Sequence, residues 1–194
     1  MGKDVYGERF NTPIGRVSYP HVFKKGQGKD GKEGKFEITL LLPKKTTDIA
    51  DLEKRIDEVG TKAFSGAWVN IKKKKPVVRD GDEWADEKKA EGKDAEVYRG
   101  NWYIKARTSK RPGVVGPDKT PIAEEDELFY GGCYARANVT PGSYDNESKG
   151  VTLYLNAVQK VRDGERFGGG GVDPDSVFDA FEDSASSSTE EDGF

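Results

Sequence analysis

The stretch from Tyr130 to Thr140, YGGCYARANVT, sets the fold class. Cys133, Ala135, Ala137 and Val139 fall on one side of it, and Tyr134, Arg136, Asn138 and Thr140 on the other. A period of two belongs to a β-strand, whose successive side chains point to opposite faces. VYRGNWYIKARTS (97–109) repeats the pattern: Tyr103, Lys105 and Arg107 alternate with Trp102, Ile104 and Ala106. Small residues on the inner side suit a strand wrapped round a narrow barrel core.

Working outward, IGRVSYPHVF (14–23) reads as a first strand, bent near Pro20. KKGQGKDGKEGK (24–35) has nothing apolar and reads as a flexible loop. FEITLLLP (36–43) is a strand whose apolar run implies burial on both faces near its end. GVTLYLNAVQKV (150–161), after a turn at DNESKG (145–150), is the last strand. The one clear helix spans 48–64. Ile49, Leu52, Ile56, Val59 and Ala63 share a face there, and Asp48 stands ready to cap it. Residues 66–96 show no usable period. Asp80-Gly81 and Asp163-Gly164 read as the same tight turn used twice, with glycine at positive φ. The expected architecture is a β-rich OB-like fold, a five-stranded antiparallel barrel with one main helix. An open α+β sheet is the second choice.

Charge is divided sharply along the chain. All 32 basic residues lie in residues 1–166 beside 27 of the 35 acids, so this part is net +5. Residues 167–194 carry eight carboxylates and no Lys or Arg; the two parts sum to the net −3 of the whole. We therefore expect a domain over 1–166, and a Gly-rich hinge with an acidic tail over 167–194. Such asymmetry suits a domain that binds an anion and an arm that contacts partners. No apolar run approaches the ~20 residues needed to span a bilayer, so no membrane role is expected. No apolar leader is visible at the start of the sequence, and one cysteine cannot form an intramolecular disulfide, which fits a reducing compartment. Cys133 and His21 together cannot make a conventional structural zinc site; Cys133, on the small-residue face, reads as buried and inert. No phosphate-binding GK[ST] loop is present, and no cofactor is expected.

The chemistry of the body lies in strands where aromatic and basic residues interleave. Single-stranded nucleic acid offers phosphates to Lys and Arg and unstacked bases to aromatic rings. Tyr103, Lys105 and Arg107, expected side by side with Tyr134 and Arg136, supply both on one face. Lysine clusters add charge at loop tips: Lys24, Lys25, Lys29, Lys32 and Lys35; then Lys72 to Lys75; then Lys110 with Arg111. The candidate DNA contacts are Lys24, Lys25, Lys29, Lys72, Lys73, Tyr103, Lys105, Arg107, Lys110, Arg111, Tyr134, Arg136, Tyr144 and Tyr154. The competing class is a carboxylate- and divalent-metal-dependent nuclease or nucleotide-processing enzyme, using Asp80, Asp82 and Glu83 with Asp163 and Glu165. The turn reading of both Asp-Gly pairs argues against it, and no catalytic residue or metal ligand is assigned. A histone-chaperone-like acidic protein would leave the aromatic–basic strands unexplained.

At these residues the chain resembles the single-stranded DNA-binding proteins of tailed bacteriophages, the helix-destabilising replication protein family. The segments that carry the resemblance are RVSYPHVF (16–23), KFEITLLLPK (35–44), VVRDGD (77–82), NWYIKARTSKRP (101–112), FYGGCYARANV (129–139) and LNAVQKVRDGE (155–165). They cover nearly the whole body in order. The resemblance implies an OB fold, binding of single-stranded DNA with little sequence preference, and a part in phage DNA replication and recombination in the host cytoplasm. It also implies an acidic tail that contacts replication proteins (polymerase, helicase or primase). Glu190, Glu191, Asp192 and Phe194 fit the family's ending, and Phe178 and Phe181 are further anchor candidates. A homodimer is the other partnership to be expected. One departure stands out: the helix at 48–64 follows the second strand, whereas the usual OB helix follows the third.

Overall fold

The computed structural model describes residues 4–28 and 31–167. In chain order the strands are β1 (Phe10–Asn11), β2 (Gly15–His21), β3 (Phe36–Pro43), β4 (Arg79–Asp80), β5 (Asn101–Thr108), β6 (Gly113–Val115), β7 (Tyr134–Asp145) and β8 (Lys149–Arg162). The helices are α1 (Ala50–Phe64), α2 (Trp68–Lys74) and α3 (Gly81–Ala90). Pairing runs β2–β3–β5–β8–β7 and returns from β7 to β2, so five strands close into a ring. Four seams are antiparallel; the fifth, β5–β8, is parallel, where an all-antiparallel barrel was expected. The short strands β1, β4 and β6 extend the sheet from β7, β5 and β8.

Alternation places the core as the sequence implies. Ile38, Leu40 and Leu42 of β3, Ile104 and Ala106 of β5, Ala135, Ala137 and Val139 of β7, and Leu153 and Leu155 of β8 are buried together inside the ring. Cys133 joins them, and burial pushes its thiol above the ordinary value. Helix α1 closes the barrel with Leu52, Ile56 and Val59, packed against β7 and β8. Asp48 accepts a hydrogen bond from the Ala50 N–H at 2.9 Å at its start. The helix does lie between the second and third strands of the ring.

Residues 66–96, which show no usable period in the sequence, hold two α-helices. Trp68 opens α2, donates its indole N–H to Asp57 at 2.9 Å and stacks on Phe64. The two Asp-Gly pairs are not one turn used twice. Asp80 is the N-cap of α3, accepting from the Asp82 N–H at 2.8 Å, and Gly81 is the first helical residue. Neither Gly81 nor Gly164 takes a positive φ. The signals for this helix are in the sequence: an Asp cap, Asp82 and Glu83 in the first turn, Lys88 and Lys89 in the last, and Gly92 just beyond at φ +72°. They go unread because α3 has too few apolar residues to show a helical period. It nevertheless covers the outside of the barrel, where Leu41, Ala95, Tyr98 and Tyr103 form a second buried cluster with Trp84 and Phe167 against it.

Candidate nucleic-acid interface

The outer face of β5 leads from this cluster into an open cleft of about 640 Å³. Six cations line it: Lys35 before β3, Lys75 and Arg79 on the segment after α2, Lys105 and Arg107 on β5, and Lys110 just past its end. Arg107 pairs with Glu37 of the neighbouring strand at 3.2 Å. The other five have no carboxylate within ion-pairing distance among the described residues. Burial pushes the Lys105 ammonium below the usual lysine value; Glu37 opposes the shift, and Arg107 and Arg79 add to it. An anion placed beside it would favour its charged form.

The opposite wall carries the rings. Register brings β8 beside β5 at Arg107 and Tyr154, and joins Tyr144 to Gly150 across the β7–β8 hairpin. Both tyrosines lie over glycines. A Cβ at Gly142 would come within 2.6 Å of the Tyr154 ring, and one at Gly150 would collide with Tyr144. Glycine therefore lets each ring lie down on the strand, leaving a flat apolar surface beside the cations. Thr152, Asn146, Thr108 and Ser109 add uncharged donors and acceptors.

Of the residues singled out from sequence, the cleft collects Lys105, Arg107, Lys110, Tyr144 and Tyr154. Tyr103 is placed elsewhere: it is 2% exposed, with its ring 5.1 Å from Tyr98 and 5.9 Å from Trp84 beneath α3. Tyr134 and Arg136 are not beside β5, because β8 stands between β5 and β7. They lie at the other end of β7, ten residues from Tyr144, roughly 30 Å along an extended strand. Lys24 pairs with Glu124 at 2.7 Å and Lys25 with Glu33 at 2.9 Å. Lys72 lies on a helix and pairs with Asp57 at 2.9 Å; Lys73 is beside it, away from the cleft. Arg111 lies over the Phe23 ring. Lys29, Phe178, Phe181, Glu190, Glu191, Asp192 and Phe194 fall outside the described residues. The turn reading of RDGD hides Arg79; the β-branched pair Val77-Val78 directly before it is the available strand signal.

Three of the five carboxylates considered for metal chemistry, Asp80, Asp82 and Asp163, are engaged otherwise. Lys44 reaches Asp80 at 2.6 Å and Asp82 at 2.7 Å, and these hydrogen bonds raise its pKa while holding Asp82 low. For Asp80 burial works the other way, yet Lys44 and the Asp82 N–H hold its carboxyl low as well. Asp163 accepts from Lys160 at 2.6 Å and from the Tyr130 hydroxyl at 2.9 Å. Among the described residues no group of three or more His, Cys, Asp and Glu side chains is arranged to hold a metal ion. No described helix is long and apolar enough to cross a membrane.

Comparison with known proteins gives the family of the whole chain. The family model for the ssDNA-binding protein of Enterobacter phage Enc34 matches residues 11–192. The chain belongs to this family. Protein p50 of Acyrthosiphon pisum secondary endosymbiont phage 1 is 33% identical over 172 residues, covering 84% of this chain and 89% of that protein. The solved structure of the bacteriophage Enc34 single-stranded DNA-binding protein in complex with ssDNA superposes with a TM-score of 0.66 at 33% identity, covering 82% of this chain and 89% of that one. Gp2.5, a single-stranded DNA-binding protein of bacteriophage T7, shares the fold at a TM-score of 0.56 and 17% identity, covering 93% of this chain and 100% of that one.

Proposed function

We propose that the cleft between β5 and β8 holds single-stranded DNA, with phosphates against its cations and bases against Tyr144 and Tyr154. The observation that carries this reading is six cations in one cleft, five of them without an acidic partner among the described residues, beside two tyrosines laid flat. Lysines on flexible stems hold phosphate without reading bases, and rings accept any base, so sequence preference is low. The location supports the reading: OB barrels bind strands on this face and its flanking loops. So does the Enc34 protein, a relative described in complex with ssDNA. The chain acts as a non-enzymatic coat on exposed strands during phage DNA replication and recombination, in the host cytoplasm.

Residues 167–194 form the second part of the proposal. Phe167 is tied to the body: its N–H donates to the Gly131 carbonyl at 2.9 Å, and the Arg16 guanidinium sits 4.2 Å from its ring. If the 27 residues after Phe167 behave as a coil, their root-mean-square span is roughly 30 Å, against a body radius of gyration of about 15 Å. The acidic arm can thus reach the cleft, compete with the phosphates, and, when displaced, offer Phe178, Phe181 and Phe194 to replication proteins.

Titration of a fluorescent oligonucleotide across a salt series tests the groove. Five phosphate contacts give a slope of log K against log salt near −3.5, at about −0.7 per contact; a slope near zero overturns the reading. Deleting residues 168–194 should tighten binding at low salt, and equal affinities would remove the competition.

A further inference from the structure

We infer that the outer face of the β7–β8 hairpin is a second segment of the nucleic-acid site, along which the same single strand continues after leaving the cleft. The inference rests on the groove reading and extends it. Side-chain bonds show that this face is continuous. Tyr6, on the segment running beside β7, is 56% exposed and meets Tyr154 at 5.7 Å. Asn156 then donates to Thr140 at 2.9 Å and to Asn138 at 3.0 Å. Further along, Arg136 donates to Gln159 at 2.9 Å, and at the end the Arg162 guanidinium lies 3.6 Å from the Tyr134 ring centroid. Two bulges in the β7–β8 register keep these residues on one side.

The chemistry of the face selects the ligand. In a chain that is 35% charged, β7 from Tyr134 to Tyr144 and β8 from Gly150 to Arg162 contain no acidic residue; Glu8, with Arg9 beside Thr140, and Asp4, near Tyr154, border the face, and neither Arg136 nor Arg162 has a carboxylate partner among the described residues. The α1 surface is the contrast, with Asp51, Glu53, Asp57 and Glu58. A protein partner favours an apolar centre within a polar rim, and this face has none. Amides, two guanidiniums and tyrosines at both ends match a strand of phosphates and bases instead. From Thr140 to Tyr134 the face adds roughly 20 Å, enough for at most about six stacked nucleotides.

Oligonucleotide length isolates the second segment. One probe should fill only the cleft, at about 6 nucleotides, and one should run past it, at about 16. The Arg136→Gln/Arg162→Gln variant should bind the long probe about tenfold more weakly, with a salt slope smaller by about 1.4, and bind the short probe within about twofold of wild type. Arg136→Gln alone leaves the Arg162–Tyr134 stack in place and should give about half of that change in slope. Equal losses at both lengths, or none at either, would overturn the inference. So would a shift in sedimentation with both probes bound normally, which would make the face a contact between copies of the chain. Failure of the groove reading looks different: Lys105→Ala/Arg107→Ala would then leave the short probe's affinity unchanged.

Discussion

The two halves of one strand face meet opposite fates. On the outer side of β5, Tyr103, Lys105 and Arg107 follow one another at the same period, yet Tyr103 is buried under α3 while Lys105 and Arg107 line an open cleft. Nothing in the strand itself distinguishes them. The difference comes from α3 and the turn at Glu96–Tyr98, which bring Trp84 and Tyr98 over one half and stop short of the other. Alternation tells which side chains leave the barrel; only neighbouring elements decide which of them reach solvent.

Substitution of each half sharpens this comparison. Tyr103→Ala should have the largest effect, lowering stability by about 3 kcal/mol or more through the cavity it opens. Binding of single-stranded DNA should persist below the melting transition. Chemical denaturation and anisotropy on the same preparation check both; a stable variant with weakened binding would move Tyr103 into the interface.

The open half should respond in the reverse sense. Lys105→Ala/Arg107→Ala should cost about 2 kcal/mol in affinity for single-stranded DNA and reduce the salt slope by about 1.4. The denaturation midpoint should hardly move. A variant that binds as wild type would break the comparison, leaving both halves structural.

On the covered half, Asp80→Ala should lower stability by about 1 kcal/mol, since it removes the cap of α3 and one partner of Lys44. DNA affinity should be nearly unchanged. A divalent-dependent cleavage of single-stranded DNA by the wild type, lost in this variant, would restore the nuclease reading.

The smallest effect is a pH dependence in the open half. The Lys105 pKa is lowered, first by burial. A bound phosphate favours the charged form, so the pKa is higher in the complex, and binding takes up a proton between the two values. Affinity should be constant below the free-protein value and fall as pH rises through it. Lys105→Arg, which stays charged, should abolish this fall. Parallel curves for wild type and variant would assign the dependence to another group.

Much of the fold was legible because it rests on local periods. The alternation in 97–109, 130–140 and 150–161, the buried run at 36–43 and the apolar face of 48–64 mark barrel strands and the helix that closes them. Small inner residues on β7 announce tight curvature. The charge division between body and tail is composition alone, and the aromatic–basic strands were enough to indicate an anionic, base-bearing ligand class. Helix α3 was written in its caps and charges without an apolar period, so its existence was recoverable but its burial of Tyr103 was not.

The sequence by itself therefore determined the barrel strands and the helix that closes them, the two sides of each strand and the separation of charge, since all three follow from spacing along the chain. Tertiary structure alone decided which cations share a cleft. Closure of the ring puts β8 between β5 and β7, which separates Arg107 from Arg136 and brings Tyr154 beside Arg107. Ion pairs occupy Lys24, Lys25 and Lys72, while Lys75 and Arg79 line the cleft. A cation's availability depends on what lies within a few ångströms in space, and sequence distance carries no record of that.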